Sequence, residues 1–193
     1  MQDIEPYYRW RDKYIASNDR RSPFYGRSYS EFHYTNKIYN YYIHPQWDEF
    51  GSSTLYTKIL FLDYDKGYAI LEFIGEWNDA LHNDIMILKR NLLEPLMDKG
   101  IYKFVLICEN VLTFHGGEDD YYEEWGEEVR DEGGWICFLN VSNHVEDEMK
   151  ESRLQYHVNF GEYYNELNWR PHKPTLLFEV VEALVNGDIR RLV

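Results

Sequence analysis

The sequence predicts an α/β protein: a mixed β-sheet with a leading hairpin and helices packed on it, preceded by an aromatic-rich N-terminal extension. Three observations carry this prediction. Apolar runs of strand length recur after residue 54, amphipathic stretches of helical spacing separate them, and residues 68–114 place strand, helix and strand in unbroken succession, the pattern of a βαβ unit. At 193 residues with 44% apolar content, the chain can bury one well-cored domain plus an extension.

Residues 1–53 hold nine of the 18 tyrosines, with Trp10 and Trp47. Aromatics at that density bury too much area to stay solvated, so this extension is expected to pack on the main domain, residues 54–193. It reads as a short helix near 6–16, a turn at 22–26 and a strand near 37–43, with Pro45 and Gly51 marking a loop. Strands at 54–64 and 68–74 flank Asp65-Lys66-Gly67, where glycine suits a positive-φ hairpin position. Gly75-Glu76-Trp77 reads as a turn, after which Asn78 or Asp79 caps a helix with the apolar stripe Leu81, Ile85, Leu88, Leu92 and Leu96. Pro95 should kink or end that helix, because it lacks an amide donor and clashes with the preceding turn.

Lys99-Gly100 closes the helix, strand 102–108 follows, and Phe114-His115-Gly116-Gly117 forms a loop. The acidic segment 118–132 reads as a helix with Tyr121, Trp125 and Val129 on one face, stopped by Gly133-Gly134. Strand 135–141, helix 143–152 and a short strand 155–160 come next. A polar loop through Trp169-Arg170-Pro171-His172-Lys173-Pro174 then leads to a final helix 175–186 with Leu176, Val180 and Leu184 on its apolar face. The loop reads as a rigid connector, since proline fixes φ, and its Trp and Arg are also residue types that anchor partners.

Net charge is −14 and unevenly placed. Residues 118–132 carry nine carboxylates against Arg130 alone, whereas residues 1–37 carry seven cationic side chains against five acids. The two regions can attract each other within the chain or between copies, so a protein partner or self-association as a homodimer is expected. Nucleic acid is disfavoured, because duplex binding draws its affinity from cationic contacts to phosphate. No long apolar run or basic-then-apolar start is present, so no membrane span is expected and the setting is expected to be cytoplasmic. Cys108 and Cys137 lie inside apolar strands and read as buried free thiols.

Several pieces in order resemble the STAS domain of anti-sigma-factor antagonists and anion-transporter tails. They are Ile74-Gly75-Glu76, Phe104-Val105-Leu106-Ile107, Val111-Leu112-Thr113-Phe114, Gly133-Gly134-Trp135 and the helical run from Val145 to Leu154. The likeness spans residues 55–187. It implies a STAS-like scaffold and a non-enzymatic regulatory or scaffolding role in protein interaction. The family carries Asp-Ser-Ser/Thr-Gly after the strand, with the first serine taking phosphate. Here the same place reads His115-Gly116-Gly117-Glu118-Asp119-Asp120, where no serine stands and three acids would repel phosphate, so the phospho-switch is not carried over.

The resemblance points to a partner-binding surface at His115, Gly116, Gly117 and Glu118, continued by Glu123, Glu124, Glu127 and Glu128 on the acidic helix. The four glutamates read as a solvated face whose reversal should leave the fold intact. No catalytic residue, metal or cofactor is assigned: no hydrolase, nucleotide or zinc motif is present. The alternative is a small-molecule or metal-dependent enzyme using a cleft between extension and main domain, with His115 and nearby carboxylates as ligands or bases.

Overall fold

The computed structural model describes residues 4–187. A two-stranded antiparallel ribbon, β1 (Lys37–Ile38) and β2 (Tyr41–Tyr42), precedes a four-stranded mixed sheet in the order β3 (Leu55–Asp63), β4 (Tyr68–Asn78), β5 (Lys103–His115) and β6 (Trp135–Leu139). β3 and β4 form the expected antiparallel hairpin, with Gly67 at φ +68°. β4, β5 and β6 run parallel, so each join needs a helical crossover. The first crossover contains α1 (Asp79–His82), α2 (Asp84–Leu88), a wide π turn over Lys89–Leu93, and α3 (Glu94–Met97); the second is α4 (Asp120–Asp131). After β6 come α5 (Asn143–Glu151), a 3-10 turn at Leu154–Tyr156, α6 (Glu162–Glu166) and α7 (Pro174–Val185).

The α/β class and the mixed sheet match the prediction; several local readings do not. Gly75 is no turn: β4 continues through it to Asn78, with Gly75 at φ +120°. A Cβ at Gly75 would sit 2.1 Å from the Thr54 carbonyl oxygen, so only glycine lets the two strands approach there. β5 likewise runs on to His115, past the expected end at 108, with Leu112 left over as an extra residue between the Gly75↔Val111 and Glu76↔Thr113 pairs. Pro95 acts a turn earlier than expected. Its missing donor leaves the Asn91 carbonyl without the usual partner, and the helix widens over Lys89–Leu93 rather than ending.

The expected helix over 6–16 is instead a turn at 9–13 followed by a 3-10 turn at Ala16–Asn18, and 37–43 folds back at Tyr39-Asn40 into the β1–β2 ribbon instead of one strand. The expected strand 155–160 is a 3-10 turn followed by a single bridge from Asn159 to Cys137. In α7 the buried face is Leu177, Phe178, Val181 and Ala183, one residue out of register from the predicted Leu176 stripe; Leu176 is exposed.

Both faces of the sheet are covered. One packs Leu71, Phe73, Trp77, Phe104, Leu106 and Phe138 against Leu88 and Leu92 of the first crossover, Trp125 of α4 and Val145 and Met149 of α5. The other packs Ile70, Val105, Ile107 and Trp135 against Phe178 and Val181 of α7, and against Trp10 and Trp169. Tyr68, Phe178 and Trp135 stack in a column there, with centroids 4.1 and 6.0 Å apart. The loop containing Trp169 anchors the extension: Tyr7, Trp10 and Trp169 pack edge to face at 4.7–5.7 Å, and Trp10 Nε1 donates to the His172 carbonyl. Both cysteines are free and buried, and burial pushes their thiols up.

A buried carboxyl lies under the extension. Glu72 in mid-β4 accepts the Tyr7 backbone N–H at 2.8 Å, and burial pushes it from the ordinary 4.5 to about 8; the Glu109 charge adds to the rise, while the Tyr7 bond and Arg170 oppose it.

Two predictions follow from this packing. Gly75→Ala should cost about 3 kcal/mol of stability or more, read as a lowered urea midpoint. Because the folded chain holds the Glu72 proton to higher pH than the unfolded chain, this group's stabilising contribution is full below 4.5 and is lost as pH rises toward about 8. Glu72→Gln keeps an acceptor for Tyr7 and removes that slope. Its Tm relative to wild type should therefore rise by roughly 10 °C between pH 5 and pH 8; a constant difference would refute the assignment.

Candidate interaction site at the carboxyl end of β4 and β5

β4 and β5 outrun β6, whose last pair is Leu139 with Ile107, so their carboxyl ends project together beyond the sheet. Asn78 ends β4 and caps α1, its Oδ1 accepting the Leu81 N–H at 2.9 Å. Asn83 then adopts the left-handed conformation at φ +52°, which breaks the crossover into two helices after a single turn. The break rotates Leu81 off the expected core stripe and leaves it 81% exposed.

Beneath this turn sits a carboxylate clamp. Asp79 accepts from Trp77 Nε1 at 3.1 Å, Ile85 N at 2.8 Å and Tyr122 Oη at 2.6 Å, tying β4 to α2 and α4. Burial pushes its carboxyl up to about 6 against the pull of those hydrogen bonds. Asp84 accepts the Asn78 N–H at 2.8 Å and is also raised by burial. With both oxygens engaged by three donors from β4, α2 and α4, Asp79 acts as a structural tie at the wall of the neighbouring cleft.

The loop after β5 presses onto α1 and α5. A Cβ at Gly116 would lie 1.7 Å from Ser152 Oγ, and one at Gly117 would touch the Asp79 carbonyl carbon at 3.4 Å. A cleft of about 510 Å³ opens between this loop and α1, lined by Ala80, Asn83, Glu118, Asp120 and Tyr121 among others. On the far side, α5 seals the edge of β5 that β6 is too short to reach: His144 Nε2 donates to the Leu112 carbonyl at 2.7 Å, and Glu148 Oε2 accepts the Phe114 N–H at 2.8 Å.

The predicted site residues separate into two groups. His115, Gly117, Glu118, Glu123 and Glu127 are exposed, with Gly116 half-buried against Ser152. Glu124 and Glu128, their side chains still 54% and 41% exposed, reach over to the first crossover, where Lys89, only 2% exposed, lies 3.0 and 3.2 Å from them and 3.6 Å from Glu94. Burial works to lower the Lys89 ammonium, and the two glutamates outweigh it, holding it above its ordinary value. The four glutamates are therefore not one solvated face. The expectation that reversing all four leaves the fold intact is corrected, because two of them neutralise a buried cation.

Sequence reasoning missed Leu81 and Lys89. Asn83 before Asp84, a residue that tolerates the left-handed region followed by a first-turn acid, was the available sign of a helix restart. Lys89 stands four residues after Ile85, beside the apolar stripe, which marks it as a cation needing distant acids. His115 lies opposite Asn78 at one end of β4, while the cleft under the extension lies beside Ile59 and Leu60 at the middle of β3, so the two do not share a site. Among the described residues no group of three or more His, Cys, Asp or Glu side chains is placed to hold a metal ion. No described helix is long and apolar enough to cross a membrane.

No family model matches the chain, and no curated protein matches it. Among solved structures, it is similar to a Thermotoga maritima protein assigned as an anti-sigma factor antagonist. The crystal structure of that protein has a TM-score of 0.41 at 14% identity, covering 57% of this chain and 87% of that one. Its NMR structure has a TM-score of 0.39 at 14% identity, covering 58% and 86%.

The split of the acidic helix is testable. Glu124→Lys with Glu128→Lys should destabilise by about 2 kcal/mol, since Lys89 is left with Glu94 at 3.6 Å against two new cations. Glu123→Lys with Glu127→Lys should change stability by roughly 0.5 kcal/mol or less per site. Urea denaturation of the two pairs checks the contrast.

Proposed function

We propose that the chain is a non-enzymatic protein-interaction domain of regulatory or scaffolding type, and that its docking surface is the projecting end of β4 and β5. The reading includes a main domain at 54–193 carrying the extension 1–53, and a cytoplasmic setting, which two buried free thiols suit. The observation that supports it is Leu81. A leucine 81% exposed on the one-turn helix that walls a cleft also lined by Glu118 and Asp120, with Glu123 and Glu127 exposed on α4, has the composition of an interface anchor with an acidic rim. The partner it fits is a protein surface with an apolar socket ringed by Lys and Arg. His115, Gly116 and Gly117 shape the loop beside that anchor, and the missing serine removes phosphorylation as its control.

Affinity capture with tagged full-length protein tests this. Leu81→Ser and the pair Glu123→Lys with Glu127→Lys touch no core contact and should preserve the Tm. Each should reduce recovery of the captured partner by about tenfold, the effect expected of losing an anchor or reversing the rim. Recovery equal to wild type in both variants would overturn the surface. Light scattering separates a foreign partner from self-association, since a dimer lost in Leu81→Ser identifies the second copy as the occupant.

A further inference from the structure

The cavity between the extension and the edge of the sheet lies away from the docking surface and has a different chemistry. It measures about 270 Å³ and is bounded by Tyr7, Trp10, Tyr14 and Tyr29 on the extension side and by Ile59 and Leu60 of β3. Junctions between two packed segments are a usual place for small-molecule pockets. At roughly 30 Å³ for each water-sized volume, this one holds on the order of nine such volumes, the size of a single substituted ring. Four aromatic side chains in so small a space suit a flat ligand.

Its charge is unlike that of the rest of the molecule. In a chain of net charge −14, Arg11 and Lys58 both line the cavity, Arg27 stands close enough to perturb Lys58, and Glu31 is the one carboxylate among the lining residues. Lys58 is fixed in place: its Nζ donates to the Gln46 carbonyl at 2.8 Å and Asp48 Oδ2 at 3.1 Å, and lies 3.6 Å from the centroid of the Tyr29 ring. Asp48 also accepts from Arg27 at 3.1 Å and Tyr29 Oη at 2.7 Å, so its charge is shared among several donors. Arg11 is exposed, and among the described residues its side chain hydrogen-bonds only to Gln46 Oε1, at 3.5 Å. A guanidinium with its fork free beside a held ammonium is a bidentate receptor for a carboxylate.

We propose that this cavity binds a single-ring aromatic carboxylate, with the ring between Tyr29 and Trp10 and the carboxylate on Arg11 under the positive potential of Lys58. Gln46 and Glu31 supply acceptors for a ring hydroxyl. This site and the β4–β5 docking surface are independent, and each can fail without the other.

Calorimetric titration of the full chain with 4-hydroxybenzoate tests it, with neutral 4-hydroxybenzamide as the control for ring packing alone. The expected result is saturable heat with the acid and binding weaker by about tenfold with the amide or with Arg11→Glu, the size of one lost charge-assisted pair. Arg11→Lys, which keeps the charge and loses the fork, should fall between. Thermal unfolding of each variant confirms that the exposed substitution leaves the fold unchanged. No saturable heat with the acid in the low-millimolar range, equal affinity for acid and amide, or an Arg11→Glu variant that binds like wild type would each overturn the proposal.

Discussion

The whole architecture answers to one constraint: β4 is buried on both faces. Ten of its eleven residues are buried, Glu76 alone being partly exposed. A strand hydrogen-bonded on both sides and apolar on both faces must be covered twice, once by each layer. The crossover helices with α4 and α5 supply one cover. The other is completed by α7 with Tyr7 and Trp10 of the extension, whereas Tyr8, Tyr25, Tyr39 and Tyr41 stay exposed, against the expectation that the extension's rings are buried as a group. Trp10 meeting Trp169 closes that second layer by joining segments far apart in sequence.

Polar groups inside this double cover are few, and each is tied to the meeting of two segments. Asp48 joins Arg27 and Tyr29 of the extension to Lys58 of β3. Glu72 takes the Tyr7 amide, Asp79 gathers β4, α2 and α4, and Lys89 holds α4 against the first crossover. These contacts specify alignment more than they add stability, since burying charge carries a desolvation cost that pairing only partly offsets. The surface end of β4 and β5 is different: there the chain leaves Leu81 outside the core, on the helix that walls a cleft lined in part by Glu118 and Asp120.

How much was legible in the sequence depended on whether the determinant was local. Gly67 in its hairpin, Asn78 as a cap, and Trp125 with Val129 on the buried side of α4 are read from neighbours within a turn, and the structure agrees. Gly75 failed because a glycine is taken for a breaker, whereas here a carbonyl on the adjacent strand requires its missing side chain. In α7 nearly every residue from Leu176 to Val185 is apolar, so periodicity could not choose a face and contact with Trp135 and Tyr68 chose it. At the candidate site, the exposure of His115, Glu118, Glu123 and Glu127 was legible from loop and helix pattern. The turning of Glu124 and Glu128 toward Lys89 was not, because that pairing links residues more than thirty positions apart.

The Trp10 to His172 hydrogen bond spans 162 residues, which gives the order of synthesis a physical consequence. At about 5–20 residues per second on the ribosome, the extension emerges roughly 8–30 s before the loop that secures it. β5 and β6 are complete by residues 115 and 139, so for the latter part of that interval the sheet stands ready while Trp10 still lacks Trp169 and the His172 carbonyl. Tyr7 and Trp10 thus wait uncovered on an already formed sheet until the Trp169 loop follows them out, so the joining of this layer is set by the distance along the chain rather than by the pairing of strands.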